Sequence, residues 1–295
     1  MVSSYSDLAG LSLRPANQSL SQQASIGVFD SGVGGLTVLR VLQQHLPQES
    51  FLYFADTAHL PYGNRCQAEI VTFARQILTW MTEQGVKMVI VACNTSSALA
   101  LDIVRTEFNL PILGLILPGA RTAVQRGKRI GIIATAATVA SECYPQAILE
   151  ANPQLQVWQM SCPEFVPLIE QNRINDPYTL EVARTYLQPL IESRIDTLIY
   201  GCTHYPHLES VIRKVLPRSV QRIDPARSVV TAAARELELL GLRKQSRQTS
   251  STRFFASGCP EQFARVSSQW LGYTPVVEHV ELPLLSSPLS SSTLI

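Results

Sequence analysis

Two stretches, MVIVACNTSSALA (Met88–Ala100) and TLIYGCTHYPHL (Thr197–Leu208), decide how this chain is read. Each runs from an apolar, β-branched strand through a small residue to a cysteine, and then to a polar pair where a helix or turn should begin. They read as the same element placed in two halves of one chain. In open α/β sheets ligands bind beyond the carboxyl ends of the strands, so Cys93 and Cys202 each stand where chemistry is usually found. Two such edges facing one another would make a cleft.

Working outward, short apolar runs alternate with longer helical patterns, the signature of βαβ units and a parallel sheet. The strands expected are Ile26–Phe29, Phe51–Ala55, Met88–Ala92, Pro111–Ile116, Arg129–Ala134, Leu155–Met160, Thr197–Gly201, Ser219–Ile223, Arg253–Ser257 and Pro275–Leu282. QAEIVTFARQILTWMTEQG (Gln67–Gly85) and DPYTLEVARTYLQPLIES (Asp176–Ser193) carry apolar residues at i, i+3, i+4 and i+7, which predicts amphipathic helices packed on sheet faces. The fold class is α/β, with mainly parallel sheets flanked by helices.

The chain has 295 residues, which at about 150 per domain suggests two domains. With 24 Lys plus Arg against 23 Asp plus Glu, it has no field to gather nucleic acid or an anionic membrane. No apolar run nears the roughly 18 to 20 residues that span a bilayer. Residues 1–24 are rich in Ser and Gln, lack a signal-peptide pattern and read as a disordered tail, as does the Ser-rich stretch 283–295. Cys66, Cys93, Cys143, Cys162, Cys202 and Cys259 lie far apart, so free thiols and a cytoplasmic location are expected.

Most free cysteines are small buried hydrophobes, the reading that suits Cys66, Cys143, Cys162 and Cys259. Cys93 and Cys202 differ, because Asn94, Thr95, Thr203 and His204 surround them with polar groups. A helix N-terminus behind each sulfur would lower its pKa and favour the thiolate. IGVFDSGVGGLTVLR (Ile26–Arg40) departs from G-x-G-x-x-G, since position 37 is Thr37, and no GK[ST] follows. It remains a tight strand-to-helix turn, with Asp30 and Ser31 able to seat a ligand carboxylate or amine, or else a turn that needs glycine for positive φ. Cys202, His204 and His207 do not have the spacing of a zinc finger or ribbon, so no metal is expected. None of Lys87, Lys128, Lys214 and Lys244 falls where a Schiff-base lysine would reach the cleft, so no pyridoxal cofactor is expected either.

FDSGVGGLTVL, FADTAHLPYG, VACNTSSALA, the strand running to Thr138, and LIYGCTHYPHL together resemble glutamate racemase, of the aspartate/glutamate racemase superfamily, from about Ile26 to Phe263. The resemblance implies two pseudo-symmetric domains with the active site in the cleft between them, residues 25–117 and 227–282 forming the first and 118–226 the second. It implies cofactor-independent interconversion of L- and D-glutamate for peptidoglycan synthesis. Cys93 and Cys202 would be the acid/base pair, assisted by Asp30 and His204 respectively. Asp30, Ser31, Tyr62, Gly63, Asn94, Thr95, Thr138, Thr203 and His204 would bind the substrate. The sequence departs from the family at Ser257–Pro260, where SGCP replaces a Thr-Gly-Asp-like turn, a place expected to lie clear of the cleft.

Racemisation removes a weakly acidic α-proton and returns one from the opposite face, so two groups of matched pKa on opposite walls are the minimum machinery. N–H groups around Thr95 and Thr203 could meet charge building on the α-carboxylate. The expected partner is a small molecule, glutamate; a homodimer is left open. An aspartate racemase and a non-catalytic amino-acid or dicarboxylate binding protein are the rival readings, the first disfavoured by His204 and the Pro61-Tyr62-Gly63 loop.

Overall fold

The computed structural model describes residues 20–245 and 251–282. Its strands are β1 (Ile26–Asp30), β2 (Phe51–Ala55), β3 (Met88–Val91), β4 (Ile112–Gly114), β5 (Arg129–Ala134), β6 (Gln156–Ser161), β7 (Thr197–Gly201), β8 (Gln221–Ile223), β9 (Thr252–Ala256) and β10 (Val277–His279). They form a six-stranded sheet of order β10-β9-β2-β1-β3-β4 and a four-stranded sheet of order β6-β5-β7-β8. Every pairing is parallel. The fold is α/β, and its larger sheet is completed by two strands from the end of the described chain.

The strands read as unbroken apolar runs because both faces of each sheet are covered. Val28 and Ile90 pack on one side of the larger sheet with the helices Leu36–His45 and Pro225–Leu239, and Phe29 and Val89 pack on the other with the helix Gln67–Glu83. In the smaller sheet Ile132 and Ile199 face one way, and Ile133, Leu198 and Tyr200 the other. The second expected helix runs Pro177–Glu192, with Asp176 capping it by accepting the Tyr178 N–H at 2.9 Å and Pro177 at its first position.

Three expectations need correction. The run Pro111–Ile116 ends as a strand at Gly114, since the Leu115 N–H turns to the Ser97 hydroxyl at 3.2 Å and the helix Ile116–Arg126 begins. Pro275–Leu282 contributes only Val277–His279, at a sheet edge. The supposed tail 1–24 is docked where it is described: Leu20 packs on the core, and the Gln22 side chain donates to Gly241 O at 2.7 Å. Residues 1–19 and the expected tail 283–295 lie outside the described residues.

The amino ends of the larger sheet's strands hold a buried charge pair. Lys87 Nζ lies 2.6 Å from Glu49 Oε2 and donates to Gln22 O and Leu242 O at 2.7 and 2.8 Å. This lysine is thus tied at the edge opposite the one that carries the cysteines.

Candidate active site

The carboxyl ends of five strands supply the polar groups of the opposite edge: Asp30 ending β1 and Ser31 after it, Asp56 after β2, Cys93 after β3, Thr135 after β5 and Cys202 after β7. Asp30 is buried, and its Oδ1 accepts the Gly32 N–H at 2.8 Å. Burial raises its carboxyl above the ordinary range, against the charge of His204 and the N–H groups of Gly32 and Gly35. The glycines of this turn serve space and not positive φ: among the described residues the glycines with positive φ are Gly85, Gly241 and Gly272. A Cβ on Gly34 would lie 2.5 Å from both Thr203 Oγ1 and His204 Nδ1, so this residue is where the β1 turn and the β7 turn close on each other. The Thr37 hydroxyl adds a bond to Thr203 O at 3.1 Å across the same junction.

Cys93 is the N-cap of the helix Asn94–Leu99, and its sulfur accepts the Ser96 N–H at 3.4 Å. The expected helix terminus is present, but the expected low pKa is not. Burial pushes the Cys93 thiol up to about 12, the nearby Asp30 carboxylate adds to the rise, and the Ser96 N–H opposes it without prevailing. Asp30 therefore acts on Cys93 by holding its proton on.

The other wall is built differently. After Cys202 comes a short 3₁₀ turn, Tyr205–Leu208, and only then the helix Glu209–Val215. His204 Nδ1 lies 3.7 Å from Cys202 Sγ, and its Nε2 lies 3.2 Å from Glu170 Oε1. Burial disfavours the charged ring, but the hydrogen bonds with Cys202 and Glu170, together with the charges of Cys202 and Asp30, outweigh it and raise His204 to about 10. His204 is thus an imidazolium at neutral pH, held against the sulfur. His207, also drawn in by the CTHYPH pattern, is pushed down to about 4 by burial, with the charges of His204 and Arg40 adding to the fall, and packs against Trp270, the rings tilted by 35° with centroids 3.8 Å apart.

The proposed binding groups meet from both halves. Thr95 Oγ1 lies 3.0 Å from Thr135 Oγ1 and 3.3 Å from Thr138 Oγ1, and those two are 3.0 Å apart, a triangle of three hydroxyls. Asn94 is buried and accepts the Tyr144 hydroxyl at 2.8 Å. Ser31 and Thr203 are buried as well. The Tyr62 hydroxyl donates to Asp56 Oδ2, and a Cβ on Gly63 would lie 3.3 Å from Thr135 Cβ, so the Tyr62-Gly63 loop reaches the second half. Asp56 also takes the Ser257 hydroxyl at 2.6 Å and His59 Nδ1 at 2.9 Å. The SGCP turn is therefore not clear of the site: Ser257 braces the carboxylate that anchors Tyr62. Cys259 of the same turn lines a cavity of about 130 Å³ together with Gly32 and Glu170.

Glu170, Thr135, Asp56 and Tyr144 escaped the sequence reading. Nothing in PEFVPLIEQN separates Glu170 from a solvated carboxylate at a helix end, and its meeting with His204 is a tertiary event. Thr135 could have been found, standing as it does directly after an apolar strand in the manner of Cys93 and Cys202. The bland reading of the remaining cysteines holds for buried Cys162, but Cys66 and Cys259 are exposed and Cys143 is half-buried, donating to Ala98 O at 3.1 Å. All six cysteines are free. Among the described residues no cluster of three His, Cys, Asp or Glu side chains could hold a metal ion, and no helix is long and apolar enough to cross a membrane.

Two cysteines and a triangle of hydroxyls thus stand at strand ends of two parallel sheets, where α/β enzymes carry their chemistry. The chain belongs to the Asp/Glu/Hydantoin racemase family, which it matches over residues 26–233. It is 63% identical over 267 residues to the glutamate racemase of Rippkaea orientalis, covering 90% of this chain and 95% of that one. Among solved structures, glutamate racemase isoform RacE1 from Bacillus anthracis superposes with a TM-score of 0.86 at 35% identity, covering 90% of this chain and 100% of that chain. The glutamate racemase of Francisella tularensis in complex with D-glutamate superposes with a TM-score of 0.83 at 35% identity, covering 88% and 98%.

Proposed function

We propose that this chain interconverts L- and D-glutamate without a cofactor, using Cys93 and Cys202 as the two acid/base groups, and that it supplies D-glutamate for peptidoglycan synthesis in the cytoplasm. The observation that carries the reading is the pair of buried cysteines at the carboxyl ends of β3 and β7, one thiol kept protonated and the other facing an imidazolium. Glutamate as the substrate rests on the relatives in Rippkaea orientalis and Francisella tularensis. The division of the chain into residues 25–117 with 227–282, and 118–226, belongs to the same reading and agrees with the strand membership of the two sheets.

In the direction from L-glutamate, Cys202 as thiolate takes the α-proton, and the electrons of the broken C–H bond move into the α-carboxylate. The Cys93 S–H then delivers its proton to the opposite face of the carbon. The product is D-glutamate, with Cys202 left as thiol and Cys93 as thiolate; return of one proton through solvent or substrate resets the pair. The His204 ring faces the Cys202 sulfur at 3.7 Å, and Glu170 keeps that imidazole charged and oriented. Asp30, Ser31, Tyr62, Gly63, Asn94, Thr95, Thr138 and Thr203 hold the substrate, Tyr62 and Gly63 through their backbone because the Tyr62 hydroxyl is engaged by Asp56.

Incubation with L-glutamate in buffer cleared of metal by a chelator and free of pyridoxal phosphate, followed by chiral chromatography, tests the reading. The expected result is an approach to equal L and D, with aspartate a much poorer substrate by kcat/KM. An unchanged L-glutamate pool, or turnover that returns only with added metal, overturns it.

A further inference from the structure

Asn94 sits between Cys93 and Thr95 at the start of its helix, and its side chain is only half satisfied. The oxygen Oδ1 accepts the Tyr144 hydroxyl at 2.8 Å, while the amide nitrogen Nδ2 is buried and has no hydrogen-bond partner. An amide has a donor end and an acceptor end, and a phenol that donates to the oxygen decides which end faces the other way. A buried NH₂ group without a partner is a standing cost that an anionic oxygen of a ligand would relieve.

Tyr144 comes from the opposite half of the molecule, in the first turn of the helix Cys143–Ala151 that packs on the smaller sheet. It is wholly buried, and a Cβ on Gly119 would meet its ring edge at 3.5 Å, so the ring has little freedom to swing away. The helix is entered through Glu142, whose φ of 55° lies in the left-handed region, and the Glu142 carboxylate accepts the Gln159 amide at 2.8 Å.

We infer that Tyr144 is a positioning residue for the racemase site: by donating across the junction to Asn94 Oδ1, it holds the Asn94 NH₂ toward a substrate carboxylate. This rests on the reading of the site given above and goes beyond it by assigning a binding determinant to a residue that touches no substrate.

A double-mutant cycle tests it. Tyr144→Phe keeps the ring and removes the hydroxyl; KM for glutamate should rise about 3- to 10-fold, the effect of one lost hydrogen bond, while kcat moves less. Asn94→Asp keeps the acceptor for Tyr144 but replaces the NH₂ by an oxygen, and should raise KM further. In the Asn94→Ala background, adding Tyr144→Phe should do nothing more, read in KM or, where turnover is too slow, in the Kd of glutamate by calorimetry. A wild-type KM in Tyr144→Phe or in Asn94→Asp overturns the inference, as does a Tyr144→Phe effect that persists undiminished without Asn94. Wild-type turnover of glutamate in the same assay keeps this outcome separate from failure of the functional reading itself.

Discussion

The two cysteine walls share a sequence pattern and have different chemistry. On the Cys93 side a six-residue helix starts at the sulfur, yet burial and the Asp30 carboxylate keep the proton on it. On the Cys202 side no helix starts there, and a histidine backed by Glu170 presents positive charge to the sulfur. A helix terminus contributes partial charge from a few N–H groups, whereas a buried full charge close by acts through a low dielectric and dominates. Similar strand–cysteine motifs thus end in different surroundings, one sulfur whose proton is held on by burial and one that faces a charged histidine. The walls come together at Gly34, where there is no room for a Cβ between the β1 turn and His204.

The comparison breaks most sharply at the sulfurs themselves. Cys93→Ala and Cys202→Ala should each lower inversion in both directions by at least about 10³-fold, the upper range of a single acid/base group. By resemblance Cys202 faces the α-proton of L-glutamate and Cys93 that of D-glutamate. In deuterated water, Cys93→Ala should then exchange the L-glutamate proton with retention, and Cys202→Ala that of D-glutamate, as followed by NMR. Near wild-type racemisation by either variant would refute the two-base mechanism.

A smaller effect, about 10- to 100-fold in kcat, is expected for His204→Asn, and a lesser one for Glu170→Gln, since these residues tune Cys202 without transferring the substrate proton. His204 titrates near 10 in the folded chain against about 6.5 in the unfolded one. Its charge therefore adds stability that is fully present below about pH 6.5 and is lost as pH rises through 10. The Tm gap between wild type and His204→Asn should accordingly be wider at low pH than in alkali. A gap that does not vary with pH would make His204 a turn residue.

The subtlest difference lies in thiol reactivity. With iodoacetamide at neutral pH, peptide mapping should find Cys93 alkylated well after Cys202, because burial holds the Cys93 proton on and the thiolate is the nucleophile. Exposed Cys66 and Cys259 provide internal references for accessibility. Equal rates at Cys93 and Cys202 would erase the asymmetry on which the comparison rests.

Much of this was legible in the chain. Phe51–Ala55, Arg129–Ala134 and Thr197–Gly201 begin and end as strands where their apolar runs do, because strands covered on both faces must be apolar at every position. The edge strand Val277–His279 and the short β4 were read too long, since at an edge or beside a helix start the ladder stops for reasons outside the run. The candidate cysteines, Asp30, His204 and the hydroxyls were found because polar residues at strand ends stand out against an apolar background.

What the sequence determined by itself was therefore the α/β class, the strands and the residue types available for chemistry, all of which follow from local pattern. Tertiary structure alone decided which thiol keeps its proton, that Glu170 stands behind His204, that Tyr144 orients Asn94 and that Ser257 braces Asp56. Glu170 and His204 are 34 positions apart, Tyr144 and Asn94 are 50, and Ser257 and Asp56 are 201. Desolvation and the partner of a buried polar atom depend on what the fold brings around it, and no local stretch of sequence carries that information.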